Sequence, residues 1–568
     1  NEVTSVYVVV EVPLVKSVTP LDPEELTALM EPGGLISKKL KGYEYRPQQG
    51  AMVETVARAF NDDGISLVEA GTGTGKTMAY LLPAIEWAKG NGERVVISTN
   101  TINLQEQLMH KDIPFLQRAL GRGFEAALVI GRGNYVCLRK AGQLDREPEL
   151  FAEPDELDAL SDLMSWVKAT STGYRAELSF IPRPALWKKL CSESDYCMGS
   201  RCPEQRRCFV SAARRKASAA DLLVVNHHLL FADMALRGLT GVHSDLAVLP
   251  PYKRLIIDEA HTAEDVSTAY FGSQITRLRL ARMLGRLYRP TGGGRGRLTY
   301  LTALLSRLQG ESGGLEGVRG KVEGDLIPSV RELVSFSDGV FDAVLEVTAG
   351  LLGHGYPELK LRLIPAIIES QEWKELLENE VSELAARLTA LAGRLNGTSK
   401  ELALKGEEAL EDQCFDLRAS ADRLEAAAAD LVRVFSGGGN NEVTWVEGRI
   451  GGGERNVVRA LSSPLDIAGE LAENLFTPVP TVVLTSATLA VEDSFEYLKS
   501  RLGLNLMEED RVEEALLPSP FRYEEQAIIG IPNDIPPPGD DLFDDSLGDL
   551  VLRSLTVAGG KALVLFTS

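Results

Sequence analysis

One eight-residue run limits the possible folds of this chain more than any other: Ala70-Gly71-Thr72-Gly73-Thr74-Gly75-Lys76-Thr77. It follows the apolar stretch Ile65–Glu69 and opens the helical pattern Lys76–Lys89. A strand, a glycine-rich turn and a helix in that order form the first half of a parallel βα unit. Small residues let the backbone N–H groups of Gly71, Thr72, Gly73, Thr74 and Gly75 curl around phosphate oxygens, and the helix N-terminus adds positive potential. Lys76 is then placed to reach the β- and γ-phosphates of ATP, and the Thr77 hydroxyl to hold Mg²⁺. Ala70 stands where the strict pattern has its first glycine. The competing reading, a glycine-rich turn with no ligand, would have to produce the rest of the pattern in the right strand–helix context by coincidence.

The rhythm continues. Arg94–Ser98 reads as a strand, Leu104–Leu120 as a helix, and Leu222–Asn226 and Arg254–Asp258 as further apolar runs. Strands alternating with helices predict an α/β domain with a parallel sheet covered on both faces. Asp258-Glu259-Ala260-His261 closes the last of these runs. A carboxylate at that strand end, beside a phosphate loop, can coordinate Mg²⁺, and its neighbour can polarise the attacking water. Lys76, Asp258, Glu259 and His261 are therefore the candidate catalytic residues. For His261 a local capping role stands beside a coupling role.

Two segments break the rhythm. Residues 137–215 contain Cys137, Cys191, Cys197, Cys202 and Cys208, with Cys414 far away. Six cysteines in 568 residues are too few for a disulfide scaffold, and their clustering points to metal. Four thiolates can hold Zn²⁺ or a [4Fe–4S] cluster; the lack of a CxxC pair counts modestly against a zinc ribbon. Such a metal-tied segment is expected to have little other core. Arg206, Arg207, Arg214, Arg215 and Lys216 form a basic group there, fit for phosphates or simply solvated. Tyr135 could stack on a base or pack internally. Residues 265–460 read as mostly helical, with glycine-rich loops at 292–294, 437–439 and 451–453. Leu377, Val381, Leu384, Leu388, Leu391 and Leu395 make one apolar seam. Leu410, Cys414, Leu417, Ala421, Leu424, Ala428, Leu431 and Phe435 make a second, which predicts an antiparallel helical hairpin with Cys414 as a core residue.

The chain is too long for one core. Its net charge of −21 on its own argues against a polyanionic partner, although a motor needs only a basic channel. No run approaches the roughly 18 apolar residues of a membrane span; Val6–Val15 is interrupted by Glu11 and Pro13 and lacks a basic leader. A cytoplasmic location without membrane partners is expected. The ends, Asn1 and a stop at Ser568 after the strand-like run Ala562–Phe566, read as those of a fragment.

The motifs resemble, in order, those of superfamily 2 helicases with two RecA-like domains, and within them the DinG/XPD-type iron–sulfur DNA helicases, the bacterial DinG branch most closely. The resemblance runs from about Tyr45 to Ser568. Arg46-Pro47-Gln48-Gln49 is similar to the adenine-reading segment, with Gln49 in the glutamine position. Ser98 to Gln107 resembles the segment that contacts the nucleic-acid backbone, and Val225 to Leu230 the run before the DEAH box. Thr485-Ser486-Ala487-Thr488-Leu489 resembles the motif linking hydrolysis to movement. Ser519-Pro520-Phe521 and Leu565 to Ser568 resemble the opening of the second motor domain. The later motifs of that domain, with its arginine fingers, do not occur in the sequence.

The resemblance implies a first RecA-like domain over 41–136 and 216–264, returning at 461–492. A linker or upstream tail would occupy 1–40, an iron–sulfur insertion 137–215, an arch-like helical insertion 265–460, and a partial second RecA-like domain 493–568. It tips the metal choice to a [4Fe–4S] cluster on Cys137, Cys197, Cys202 and Cys208, with Cys191 a bystander that could substitute. It also implies Mg-ATP hydrolysis, 5′ to 3′ translocation on single-stranded DNA, and unwinding of forked DNA in repair or replication. Three rival readings are a DEAH-type RNA helicase, a metal-stabilised DNA-binding module without motor activity, and a nuclease. The cysteine segment argues against the first, intact Lys76, Asp258 and Glu259 against the second, and the absence of an acidic metal cluster against the third.

Overall fold

The computed structural model describes residues 18–151, 154–240, 248–291, 294–308, 314–353, 358–449 and 456–565. The stretch Val6–Val15, the glycines at 292, 293 and 451–453, and Phe566–Ser568 lie outside the described residues. The strands, in chain order, are β1 (Ile65–Ala70), β2 (Val95–Thr99), β3 (Ala126–Leu128), β4 (Leu222–Asn226), β5 (Arg254–Asp258), β6 (Ser273–Thr276), β7 (Glu358–Arg362), β8 (Glu442–Arg449), β9 (Val457–Pro464), β10 (Thr481–Ser486) and β11 (Val512–Leu517).

Seven of them form one parallel sheet in the order β11-β1-β10-β5-β2-β4-β3. Its central strands are continuous apolar runs because both faces are covered. Val68, Ile97, Val224, Ile256 and Val483 point into one core with the helices Pro47–Asn61 and Lys76–Asn91. Leu67, Val96, Val225, Ile257 and Leu484 point into the other, with Phe231, Phe476 and Phe495. This is the expected α/β architecture of a RecA-like domain. The pairing brings three strand ends level: Glu69 lies opposite Ser486, and Thr485 opposite Asp258.

One expected boundary moves. The sequence places residues from 493 onward in a second motor domain, but β11 pairs with β1, and Phe495, Leu498, Leu502 and Leu504 fill the first core. The first compact unit therefore runs to Ser519, and a second begins at Pro520. Within that second unit the helix Phe543–Val557 forms. Of the run Ala562–Phe566, expected as a strand, the described residues 562–565 are not in one; a strand is stable only when its backbone is paired.

The long insertion holds helices Ile327–Leu352, Ser382–Ala403 and Glu411–Phe435. Both predicted seams are buried against each other, Cys414 included, with Leu377 at their edge. The expectation of a mostly helical segment missed a four-stranded antiparallel sheet in the order β6-β9-β8-β7. The cysteine segment differs from expectation as well. Leu144, Leu160, Leu163, Leu186, Trp187 and Leu190 give it a core of its own.

Candidate active site

Ala70 ends β1, and the chain turns through Gly73 and Gly75, both at positive φ (85° and 84°), before the helix begins at Lys76. Gly75 has a second reason to be glycine: a Cβ there would stand 2.3 Å from Gln49 Nε2. A Cβ on Gly71 would stand 2.6 Å from the Ser519 nitrogen. The loop is braced from inside by Thr74 Oγ1 donating to Gly71 O at 2.6 Å and from outside by Ser519 Oγ donating to Thr72 O at 2.9 Å. Lys76 Nζ donates to Ala70 O at 3.3 Å, folded across the mouth that its motif would offer to phosphate.

Gln49 does not lie free for a base. Its amide donates to Gly75 O at 2.9 Å, and its carbonyl accepts from Tyr43 Oη at 3.2 Å. Arg46 donates to Gly73 O. The Arg46–Gln49 segment is therefore the buttress of the phosphate loop in this state.

At the end of β5, Asp258 is buried, and burial pushes its carboxyl up to about 6. Tyr80 Oη donates to Asp258 Oδ2 at 2.9 Å, and the Glu259 N–H donates to Oδ1 at 3.0 Å. Tyr80 lies one helical turn beyond Lys76, so both side chains leave the same helix face. Glu259 takes φ 55°, a left-handed conformation that costs a non-glycine residue of order 1 kcal/mol. Thr262 holds that turn, its N–H and hydroxyl both donating to Glu259 O.

Ser486, at the end of β10, stands between the two halves. Its Oγ lies 2.7 Å from His261 Nδ1 and 3.5 Å from Glu259 Oε2, and His261 Nδ1 lies 3.4 Å from the same carboxylate oxygen. Glu69 Oε2, just before the phosphate loop, accepts from the N–H groups of Leu489 and Ala490 at 2.6 and 2.7 Å. The Thr485–Leu489 run thus touches both the end of β1 and the DEAH turn. Behind it, His227 Nδ1 meets Ser98 Oγ at 2.7 Å, and burial holds His227 down at about 4, hence neutral. Tyr80 and Glu69 were not singled out in the sequence, and Ser98 and His227 entered only as members of the runs Ser98–Gln107 and Val225–Leu230. Of these only Tyr80 carried a local signal, its spacing from Lys76.

Ser98 and Thr99 are buried, so within Ser98–Gln107 only Thr101, Ile102, Asn103 and Gln107 are exposed to a strand. Tyr135 is buried against Tyr174, ring centroids 6.0 Å apart, which decides for packing over base stacking. Arg206, Arg207, Arg214, Arg215 and Lys216 are all exposed.

Cys137 and Cys208 each precede a helix, Leu138–Arg146 and Phe209–Ala219, while Cys197 and Cys202 sit on the turns between. Burial raises the Cys202 thiol, and the neighbouring Cys137 and Cys208 thiols raise it further; Cys197 and Cys208 both act on Arg214. Cys137 and Cys208 thus both lie near Cys202, while Cys197 shares with Cys208 only the neighbour Arg214. Cys191 is instead buried in the segment's own core, its Sγ 3.8 Å from Lys188 O. Among the described residues, no three His, Cys, Asp or Glu side chains stand close enough together to hold a metal ion. The donor chemistry fits a thiolate-bound cluster, and the geometry falls short of a closed ligand set.

A phosphate loop on β1, paired carboxylates on β5 and a connecting strand between them define a nucleotide-driven motor of the DEAD/DEAH class. Residues 46–159 match the DEAD/DEAH box helicase family model. The ATP-dependent DNA helicase YoaA of Haemophilus influenzae is 30% identical over 538 residues, spanning 94% of this chain and 73% of that protein. The ATP-dependent helicase DinG of Mycobacterium tuberculosis is 29% identical over 553 residues, spanning 93% and 72%. The 3′-5′ exonuclease DinG of Bacillus subtilis is 30% identical over 552 residues but is spanned only to 55%. This chain belongs to the DinG/YoaA family of ATP-dependent DNA helicases.

Proposed function

We propose that the protein couples Mg-ATP hydrolysis to 5′ to 3′ movement on single-stranded DNA and opens forked duplexes, with a [4Fe–4S] cluster on Cys137, Cys197, Cys202 and Cys208. The observation that carries the motor reading is the Ser486 bridge, which ties the DEAH turn to the strand beside the phosphate loop. Thr77 and Asp258 would hold Mg²⁺, Lys76 the transferring phosphate, and Glu259 the attacking water. Gln49 would release Tyr43 to read adenine while keeping its bond to the loop. His261, through Ser486, would report the state of Glu259 to β10. A bound cluster supplies a rigid electron-rich knot that holds the turns 192–208 in place.

In the full-length protein, Lys76→Ala is expected to reduce DNA-stimulated hydrolysis by at least about 100-fold. Glu259→Gln should retain ATP binding and lose turnover. Duplexes with a 5′ tail should be unwound, and those with a 3′ tail should not; the reverse preference would overturn the polarity and leave the motor reading standing. Anaerobically purified protein should contain about four irons and four acid-labile sulfides per chain. One zinc without sulfide would remove the cluster and keep the four-thiolate site.

A further inference from the structure

Residues of the two insertions line a basin that includes none of the phosphate-loop residues. Its volume is about 950 Å³, and its walls are the helix Arg277–Leu287, the helix Pro184–Leu190 and the segment around Lys140 to Phe151. Ten lysine and arginine side chains line it against three carboxylates, in a chain whose net charge is −21. Gathering so many like charges in one concavity is self-repulsive, and field lines focused there attract anions.

Part of that charge is already matched. Glu193 accepts from Lys140 at 2.6 Å and from Arg286 at 2.8 Å. Arg297 pairs with Asp416. The rim is different. Lys188 and Arg282 are exposed and form no ion pair among the described residues, and Arg279 is satisfied only by the Gln274 carbonyl. Apolar side chains complete the wall, among them Leu144, Phe151 and Met283. A ligand for this surface needs several anionic oxygens together with a flat or apolar body. The volume falls at the upper end of small-ligand sites, roughly 300–1,000 Å³.

We propose that this basin is a second nucleotide site, taking a phosphorylated mono- or dinucleotide with its phosphates toward Lys188, Arg279 and Arg282. It is independent of the phosphate loop and of whether that loop hydrolyses ATP. Two sources share the chemistry, a free nucleotide and the terminal nucleotides of an unpaired strand.

The probe is a 5′-phosphorylated thymidine dinucleotide labelled at its 3′ end, read by fluorescence anisotropy on the full-length protein. Saturable binding is expected, at least tenfold weaker in Arg279→Glu/Arg282→Glu and unchanged in Lys76→Ala. Both rim arginines are exposed, so the double variant should melt like the parent; Arg282→Gln provides a milder check and should weaken binding in the same direction. Displacement by unlabelled ATP identifies a free nucleotide as the source, and displacement only by a 5′-phosphorylated oligothymidine identifies a strand end; either supports the site. Equal binding by the charge-reversed variant, loss of binding in Lys76→Ala, or displacement by tripolyphosphate as effective as by the dinucleotide would each overturn it.

Discussion

Asp258 meets two opposed demands. As a proposed Mg²⁺ ligand it must be ionised, yet its burial at the end of β5 raises it to about 6, above the usual carboxylate value. The folded state therefore binds this proton more tightly than the unfolded chain does. Its stabilising contribution is present at pH below about 4 and is lost as pH rises through about 6. Asp258→Asn removes that cost, so the metal-free protein should melt higher at pH 8, by at most on the order of 3 kcal/mol, while hydrolysis is abolished. Melting in chelator checks this, and the gain should shrink at pH 5; a variant less stable at pH 8 would refute it. Ser486→Ala tests the bridge rather than the metal: ATP affinity should hold, while DNA-stimulated turnover and unwinding per ATP fall. The placement of Lys76, Asp258 and Glu259 was legible in the sequence because it is local, set by a loop and a strand end. Ser486, Glu69 and His227 were not legible as partners, because sheet order, not sequence order, brings β10 between β1 and β5.

Helices with one periodic apolar face and strands buried on both faces were read correctly, and the half-buried strands of the second sheet were not. The hairpin of Ser382–Ala403 and Glu411–Phe435 follows its two seams residue by residue. The sheet β6-β9-β8-β7 escaped notice because its strands are short or interleaved with charge, as in Glu358–Arg362, where Leu359 and Leu361 alone face the core. The cysteine segment shows the same limit. Its thiols stand out in sequence, but the core around Leu163 and Trp187 is assembled from three separated helices. That core changes what loss of a thiol should do. Serine at Cys137, Cys197, Cys202 or Cys208 should raise amide exchange across residues 192–208, where only short turns occur, and leave the helix Leu157–Ala169 protected. Exchange spreading through that helix would mean that the metal, not the apolar core, holds the segment. Cys191→Ser should act oppositely, with a packing cost of roughly 1–2 kcal/mol and unchanged iron content.

At the scale of the first unit, the cysteine segment and the long insertion are joined by a buried polar lock. Arg139, two residues after Cys137, donates to Asp416 Oδ1 at 2.9 Å, and Arg297 reaches the other oxygen of the same carboxylate. Tyr196, next to Cys197, meets Ser420 Oγ at 3.0 Å, with the guanidinium groups of Arg297 and Arg423 over its ring at 4.4 and 4.5 Å. Burial weakens the hold of Arg297 on its proton, bringing it down to about 10, and Asp416 is the carboxylate in direct contact with that guanidinium. Asp416→Asn preserves the shape and removes the carboxylate that both guanidinium groups contact, leaving Arg139 only its longer 3.7 Å pair with Asp412. Removing one partner of a buried pair typically costs about 3–5 kcal/mol, and the loss should appear as earlier melting and faster exchange in residues 192–208 and 411–435 together. The motor sheet shares none of these contacts, so ATP binding at the phosphate loop should survive while unwinding declines. Tyr196→Phe removes a single hydroxyl and should reproduce the direction at a fraction of the size. If Asp416→Asn loosened only the hairpin and left the cysteine turns as protected as before, the lock would be local packing and the two insertions would not be coupled through it.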